Sequence, residues 1–242
     1  MSPDSSSPQK KSENRLLAAL PAEEYGRLLP HLEPVSLSLK TIVHRPGEPI
    51  EHVYFPHRAL ISLVTILEDG STVENSLVGR EGMVGIQAFL GNGTMPHQAI
   101  VQVPNGGVRM SLAAFKAEFN RNGPLHDLLL SYLRFLFIET AQGNACNSMH
   151  TVEERLARWL LNVSDRRQSN ELPLTQEFIA QMLGIRRAGV TVAAGIFQQA
   201  GMIRYRRGNI VILDHESLKA TTCECYQVIK TELDQLLGTE YS

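Results

Sequence analysis

Five arginines crowd the stretch LTQEFIAQMLGIRRAGVTVAAGIFQQAGMIRYRRGNIVIL, residues 174–213. Arg186 and Arg187 are adjacent, and Arg204, Arg206 and Arg207 follow in a second group. A guanidinium offers a rigid fork of donors that matches guanine O6 and N7, or a phosphate. The residues around them predict how that fork is held. Thr175 can cap a short helix by accepting from an orphan backbone N–H, with Gln176 next to it. Phe178, Ile179, Met182 and Leu183 form the buried side of that helix, and Gly184 allows a tight turn. A second helix, 186–200, buries Val190, Ala194 and Phe197 and leaves Arg186, Arg187 and Thr191 on its other side. Gly201 ends it in the left-handed geometry that glycine tolerates. Residues 202–205 and 209–213 read as two strands, with Arg206, Arg207 and Gly208 at their turn.

Helix, turn, helix and basic hairpin make the pattern of a winged helix-turn-helix. A helix of about 15 residues is about 22 Å long and fits a major groove. The candidate DNA-contacting residues are Thr175, Gln176, Arg186, Arg187, Gly189, Thr191, Arg204, Arg206 and Arg207. Charge agrees with this reading. Residues 151–213 hold nine arginines against five acids, a surplus of four, whereas the whole chain of 242 residues carries −2. The remainder is therefore −6, the asymmetry of a DNA reader with a separate sensor unit.

Other chemistry is sparse. Cys146, Cys223 and Cys225 form no repeated pairs. Cys223 and Cys225 fall on a closing helix, 215–237, where they stand about 200° apart on different faces. His44, His52 and His57 lack metal-ligand spacing. No metal site is expected. No phosphate-binding glycine loop, catalytic triad spacing or HExxH motif is present, which argues against an enzyme. The cysteine usage and the absence of an apolar leader point to a reduced cytoplasmic compartment. The longest apolar run, 125–138, contains Arg134 and is too short to span a bilayer, so no membrane role is expected.

The elements that position the arginines follow from hydrophobic period. Residues 1–13 are polar, Ser- and Pro-containing, and read as a disordered tail. Residues 14–29 look helical around Pro21. From 35 to 110 come short β-rich runs: TIVHRPG, HVYFPHRAL, ISLVTIL, STVENSLVG, AIVQVP and GGVRM, with Asp69-Gly70 a hairpin turn. After Pro124, Leu125, Leu129, Tyr132, Leu136, Glu139, Gly143 and Cys146 alternate in steps of four and three, the stripe of a coiled-coil seam. Leu128, Leu133 and Phe137 form a second apolar face. A helix apolar on two faces needs two partners, its own β-unit and an identical helix; one wide core face in a monomer is the other reading. Residues 147–151 break the pattern, and 151–164 form another amphipathic helix. The domains are thus 14–123, 124–147 and 148–242, the last closed by an extra helix.

Taken together, these segments resemble the family of the cyclic-AMP receptor protein and the fumarate-nitrate reduction regulator (Crp/Fnr). The run YFP…ISLVTILEDGSTVENSLVGREGMVG resembles its β-roll sensor, residues 125–146 its dimerisation helix, and 175–213 its winged helix. The resemblance implies an α+β chain: an N-terminal β-roll (a cyclic-nucleotide-binding-like jelly roll), a long dimerisation helix and a C-terminal winged helix-turn-helix. It implies a homodimer on palindromic double-stranded DNA, with Leu125, Leu129, Tyr132, Leu136 and Gly143 at the dimer interface, and RNA polymerase as a further partner. An effector pocket would fall near Gly85, His97, Gln98 and Thr140.

Two departures are informative. The family opens its recognition helix with Arg-Glu-Thr-Val-x-Arg; here the residues are Arg187, Ala188, Gly189, Val190, Thr191 and Val192, so only Arg187 and Val190 agree. Cyclic-nucleotide binders of the family use a glutamate on the ribose and an arginine on the phosphate. Residues 82–101, GMVGIQAFLGNGTMPHQAIV, contain neither, and a neutral His97 is a poor substitute for arginine. Cyclic AMP is not expected to bind. No cysteine precedes Cys146, so the N-terminal iron–sulfur cluster of one branch is not expected either. The reading is a sequence-specific transcription regulator under an unidentified signal. The alternative is a ligand-binding module whose helix-turn-helix contacts protein.

Overall fold

A computed structural model describes residues 12–91 and 93–238. Most of the tail predicted for 1–13 lies outside the described residues. Asn14 is buried: its Nδ2 donates to the Pro56 and Gly82 carbonyls, both at 2.9 Å, and its Oδ1 accepts from Leu17 N. It caps α1 (Arg15–Ala18), and Pro21 then opens α2 (Ala22–Leu28).

The β-unit comprises β1 (Glu33–Leu37), β2 (Ile42–His44), β3 (His52–Pro56), β4 (Leu60–Ile66), β5 (Thr72–Val78), β6 (Gln98–Val103) and β7 (Asn105–Ser111). Every pairing among them is antiparallel, in two sheets of order β1-β7-β3 and β2-β6-β4-β5. Alternating residues from both sheets, among them Leu37, Ile61, Leu63, Val78, Ala99 and Val101, close the core between them. The Asp69-Gly70 turn forms as the sequence predicts, with Gly70 at φ +80° and Asp69 Oδ1 accepting from Ser71 N at 2.9 Å.

The chain then forms α3 (Leu112–Phe119), capped by Ser111 and absent from the sequence reading, and α4 (Pro124–Met149). The long helix continues two residues past the boundary expected at 147. The proposed seam is corrected at three of its residues. Leu125, Leu129 and Tyr132 are buried in their own chain, with Val53, Phe55, Met83, Ile86 and Met110 of the β-unit. The Tyr132 hydroxyl accepts from Met83 N at 3.2 Å. Leu136 packs against the same core, Cys146 is fully buried, and Gly143 is half-buried. The face left open carries Leu130, 45% exposed, and Phe137, 74% exposed. Both stripes are apolar at the same period, so periodicity could not say which one the β-unit covers.

Thr151 opens α5 (Val152–Arg167) with a capping box: Glu154 N donates to Thr151 Oγ1, and Thr151 N donates to Glu154 Oε2. Then come β8 (Glu171–Leu172), α6 (Gln176–Leu183), α7 (Arg187–Gln199), β9 (Ile203–Arg206) and β10 (Asn209–Ile212), with a sheet of order β8-β10-β9. The single closing helix predicted for 215–237 is instead two, α8 (His215–Ala220) and α9 (Glu224–Leu237). The second lies along α4, with Ile229 buried in the core of the β-unit and α4 and Tyr226 buried in the core of the DNA-binding unit.

Candidate nucleic-acid interface

Local structure presents the arginines much as their flanking residues dictate. Thr175 Oγ1 accepts from Phe178 N at 3.2 Å and caps α6. Gly184 ends α6 at φ +61°, a geometry a Cβ would strain. Arg186 is the N-cap residue of α7 and makes no side-chain cap bond; Arg186 and Arg187 are both exposed. Thr191 Oγ1 donates to Gln176 Oε1 at 2.8 Å, tying the start of α6 to α7. The opposite side of α7 is sealed by Val190, Ala193, Ala194 and Phe197. Gly189 does not join the exposed set: it is half-buried, and a Cβ there would meet Ile185 and Val152. Two residues that sequence reasoning passed over do join it, Val192 at 61% and Ile196 at 46% exposure. Their signal was that neither falls on the buried stripe.

The wing is a two-residue hairpin. Arg207 at φ +48° and Gly208 at φ +77° are both left-handed, the pairing a tight hairpin requires. Arg204, Arg206 and Arg207 are exposed around it. A Cβ on Gly208 would stand 3.3 Å from Thr175 Cγ2, so the wing turn sits close beside the cap of α6.

The other four arginines of the basic segment have different roles. Arg155 donates to the Leu183 carbonyl and to Asn147 Oδ1. Arg158 is buried and Arg167 half-buried. Arg166 is buried between Glu81, at 2.8 Å, and Glu139. Glu139 also accepts from Ser76 Oγ at 2.7 Å. The charge surplus counted over 151–213 therefore overstates the basic face, which rests on Arg186, Arg187, Arg204, Arg206 and Arg207.

These internal contacts fasten the DNA-binding unit to the β-unit. Trp159 Nε1 donates to Glu74 Oε1 at 2.9 Å, and Ser62 Oγ donates to Glu74 Oε2 at 2.6 Å. Desolvation holds the Glu74 carboxyl above its ordinary range, against the lowering effect of these donors and of Arg166. One apolar core runs from Leu60, Val64, Leu77 and Val103 into Leu156, Leu160, Met182 and Leu183. Val73 on the β4–β5 hairpin packs on Gly184, and the hairpin flanks a groove that reaches Arg186 and Arg187.

The predicted effector residues stand in separate surroundings. Gly85, at φ +96°, lies against His44 and Val53. His97 Nδ1 lies 3.2 Å from both Thr65 Oγ1 and Asn75 Nδ2, and burial lowers its pKa. Gln98 of β6 pairs with Val64 of β4. Thr140 is exposed beside a cleft between β5, α4 and α5, with Glu139, Arg158, Trp159 and Arg166 in its walls. That cleft holds about 110 Å³, below the roughly 300 Å³ of small-molecule pockets.

A β-roll hydrogen-bonded to a winged helix, joined by one long helix, defines a sensor-coupled DNA-binding regulator. Comparison with known proteins agrees. Residues 34–122 match the cyclic nucleotide-binding domain, and residues 154–221 match the Crp-like helix-turn-helix domain. The CRP-like cAMP-activated global transcriptional regulator of Mycobacterium tuberculosis is 25% identical over 198 residues, 79% of this chain and 88% of that protein. FixK2 from Bradyrhizobium japonicum superposes with a TM-score of 0.68 at 16% identity, covering 79% of this chain and 98% of that one. A Crp/Fnr-family regulator from Eubacterium rectale gives 0.66 at 18%, covering 85% and 96%. The chain belongs to the Crp/Fnr family of DNA-binding transcription regulators. No helix of the described residues is long and apolar enough to cross a membrane.

Proposed function

We propose that the chain works in the cytoplasm as a homodimer that reads a two-fold symmetric DNA site through α7. The observation that carries this is the exposed pair Arg186 and Arg187 at the start of α7, beside exposed wing arginines, while the remaining arginines of the unit are buried or half-buried, Arg155 and Arg166 with partners inside the fold. Arg187 reads a base edge, Arg206 and Arg207 hold phosphates, and the exposed Val192 and Ile196 suit thymine methyl groups rather than polar base edges. The family's glutamate and second arginine are replaced by Ala188 and Val192, so the preferred half-site differs from the family's common one.

The second subunit covers the open face of α4, at Leu130 and Phe137. An aromatic ring 74% exposed on a helix of 26 residues is a surface that a parallel copy buries. The signal enters at the β-unit and reaches α7 through the Glu74–Trp159 bond and the β4–β5 hairpin. Cyclic AMP is not that signal in this reading: residues 82–101 supply no arginine for a phosphate, and burial disfavours the charged form of His97.

Titrating the protein against duplex DNA at increasing salt tests the reading. DNA binding through the arginine face gives a log–log slope of several units, because each neutralised phosphate releases counterion. A protein-contact role for the helix-turn-helix gives no salt-dependent duplex binding.

A further inference from the structure

Four metal-ligand atoms converge where the long helix ends. Cys146 lies in the last turn of α4 and His150 is its C-cap residue. Cys223 is the N-cap of α9 and Cys225 its second residue. The break at 221–223 overturns the sequence expectation that Cys223 and Cys225 point to opposite sides of one helix, because Cys223 is not in a helix. Cys146 Sγ lies 3.5 Å from Cys223 Sγ, and Cys225 Sγ lies 3.5 Å from His150 Nδ1. All four atoms lie within 4.8 Å of one another.

The two 3.5 Å separations match those around one ion. Tetrahedral bonds of about 2.3 Å to sulfur and about 2.0 Å to nitrogen set ligand atoms roughly 3.5–3.8 Å apart. An iron–sulfur cluster interposes further metal and sulfide atoms and spreads its ligands wider. A disulfide needs about 2.05 Å between sulfurs, and all three cysteines are free thiols.

The surroundings complete a metal site. His150 Nε2, the ring atom turned away from the sulfurs, lies 3.4 Å from Glu224 Oε2, the carboxylate partner that orients a ligating imidazole. Gln142 Nε2 donates to Cys225 Sγ at 3.2 Å. Arg155 and Arg158 on α5 interact with the charge of Cys146, offsetting the surplus negative charge of three thiolates on a dication. The three cysteines are buried and form a cluster separate from the apolar cores.

We propose that Cys146, His150, Cys223 and Cys225 form a Cys3His site for a single zinc ion. The ion pins the start of α9 to the end of α4, one residue before Thr151 opens the DNA-binding unit. It thereby fixes the junction between the long helix and that unit. The proposal is independent of the DNA-reading account, since its test reads metal.

The full-length protein, purified under reducing conditions and dialysed, should retain about one zinc per chain by elemental analysis. Cobalt(II) exchanged into the wild-type protein should give intense tetrahedral d–d bands and a thiolate charge-transfer band. Cys223→Ser with Cys225→Ser should lose the zinc almost entirely; if that variant misfolds, the wild-type cobalt spectrum decides alone. Substoichiometric zinc with no tetrahedral cobalt spectrum overturns the proposal. So does iron with acid-labile sulfide, or a Cys146–Cys223 disulfide as the stable state of the reduced preparation.

Discussion

Trp159 of α5 hydrogen-bonds through its indole Nε1 to Glu74 of β5 at 2.9 Å, so the DNA-binding unit is joined to the β-unit by a carboxylate in a desolvated setting. Desolvation raises the Glu74 pKa, Ser62, Trp159 and Arg166 oppose it, and Glu139 adds to it. A folded-state pKa above the unfolded one contributes stability at low pH that is lost as pH rises through the folded value. Glu74→Gln keeps an acceptor for Trp159 and removes the titration. Its thermal midpoint relative to wild type should rise over the pH window that opens at the ordinary glutamate value of 4.5 and extends upward. A difference that is constant over that window would show that Glu74 is not titrating against the fold.

The wing turn sets the second prediction. Arg207 is left-handed, so alanine there would add backbone strain to the loss of charge. Arg206→Ala with Arg207→Asn avoids this, because asparagine tolerates that conformation. The double variant should weaken binding to every duplex alike and lower the salt slope by about one to two units. An unchanged slope in gel-shift titrations places the wing off the DNA.

Two substitutions on α4 separate the two apolar faces. Phe137→Glu removes an aromatic contact worth about 1.5–3 kcal/mol per subunit and adds facing charges, so dimer affinity should fall by ~100-fold or more while the melting of the β-unit is unchanged. Leu129→Glu, in the fully buried stripe, should instead unfold the β-unit or destabilise it by several kcal/mol. Light scattering and thermal melts distinguish them. A Phe137→Glu variant that stays dimeric at micromolar concentration rejects the assigned face.

What the sequence made legible was what local chemistry punctuates. Thr175, Gly184, Gly201 and the Arg207-Gly208 turn each mark an end or a corner, and the winged helix follows them closely. The Asp69-Gly70 hairpin and the β-runs were legible for the same reason. The orientation of α4 was not, because Leu125–Leu129–Tyr132 and Leu130–Phe137 are competing stripes of one period, and tertiary contact alone chooses between them. The Cys3His cluster was hidden more deeply. Its halves lie 77 residues apart, and the break at 221–223 has neither glycine nor proline to announce it. The effector residues drawn from the family scattered because equivalence by alignment carries no information about which side chains face a common cavity.

Selection of bound duplexes from a random pool, run in parallel with wild type and Arg187→Ala, tests base reading by α7. Wild type should enrich a two-fold symmetric site with half-site centres about 34 Å apart, one helical turn. Arg187→Ala should bind that site about 1–3 kcal/mol more weakly and lose the preference at one base pair of each half-site, with far less effect on unselected DNA. No enriched sequence with wild type, or an equal loss on selected and unselected duplexes, would contradict base reading by α7.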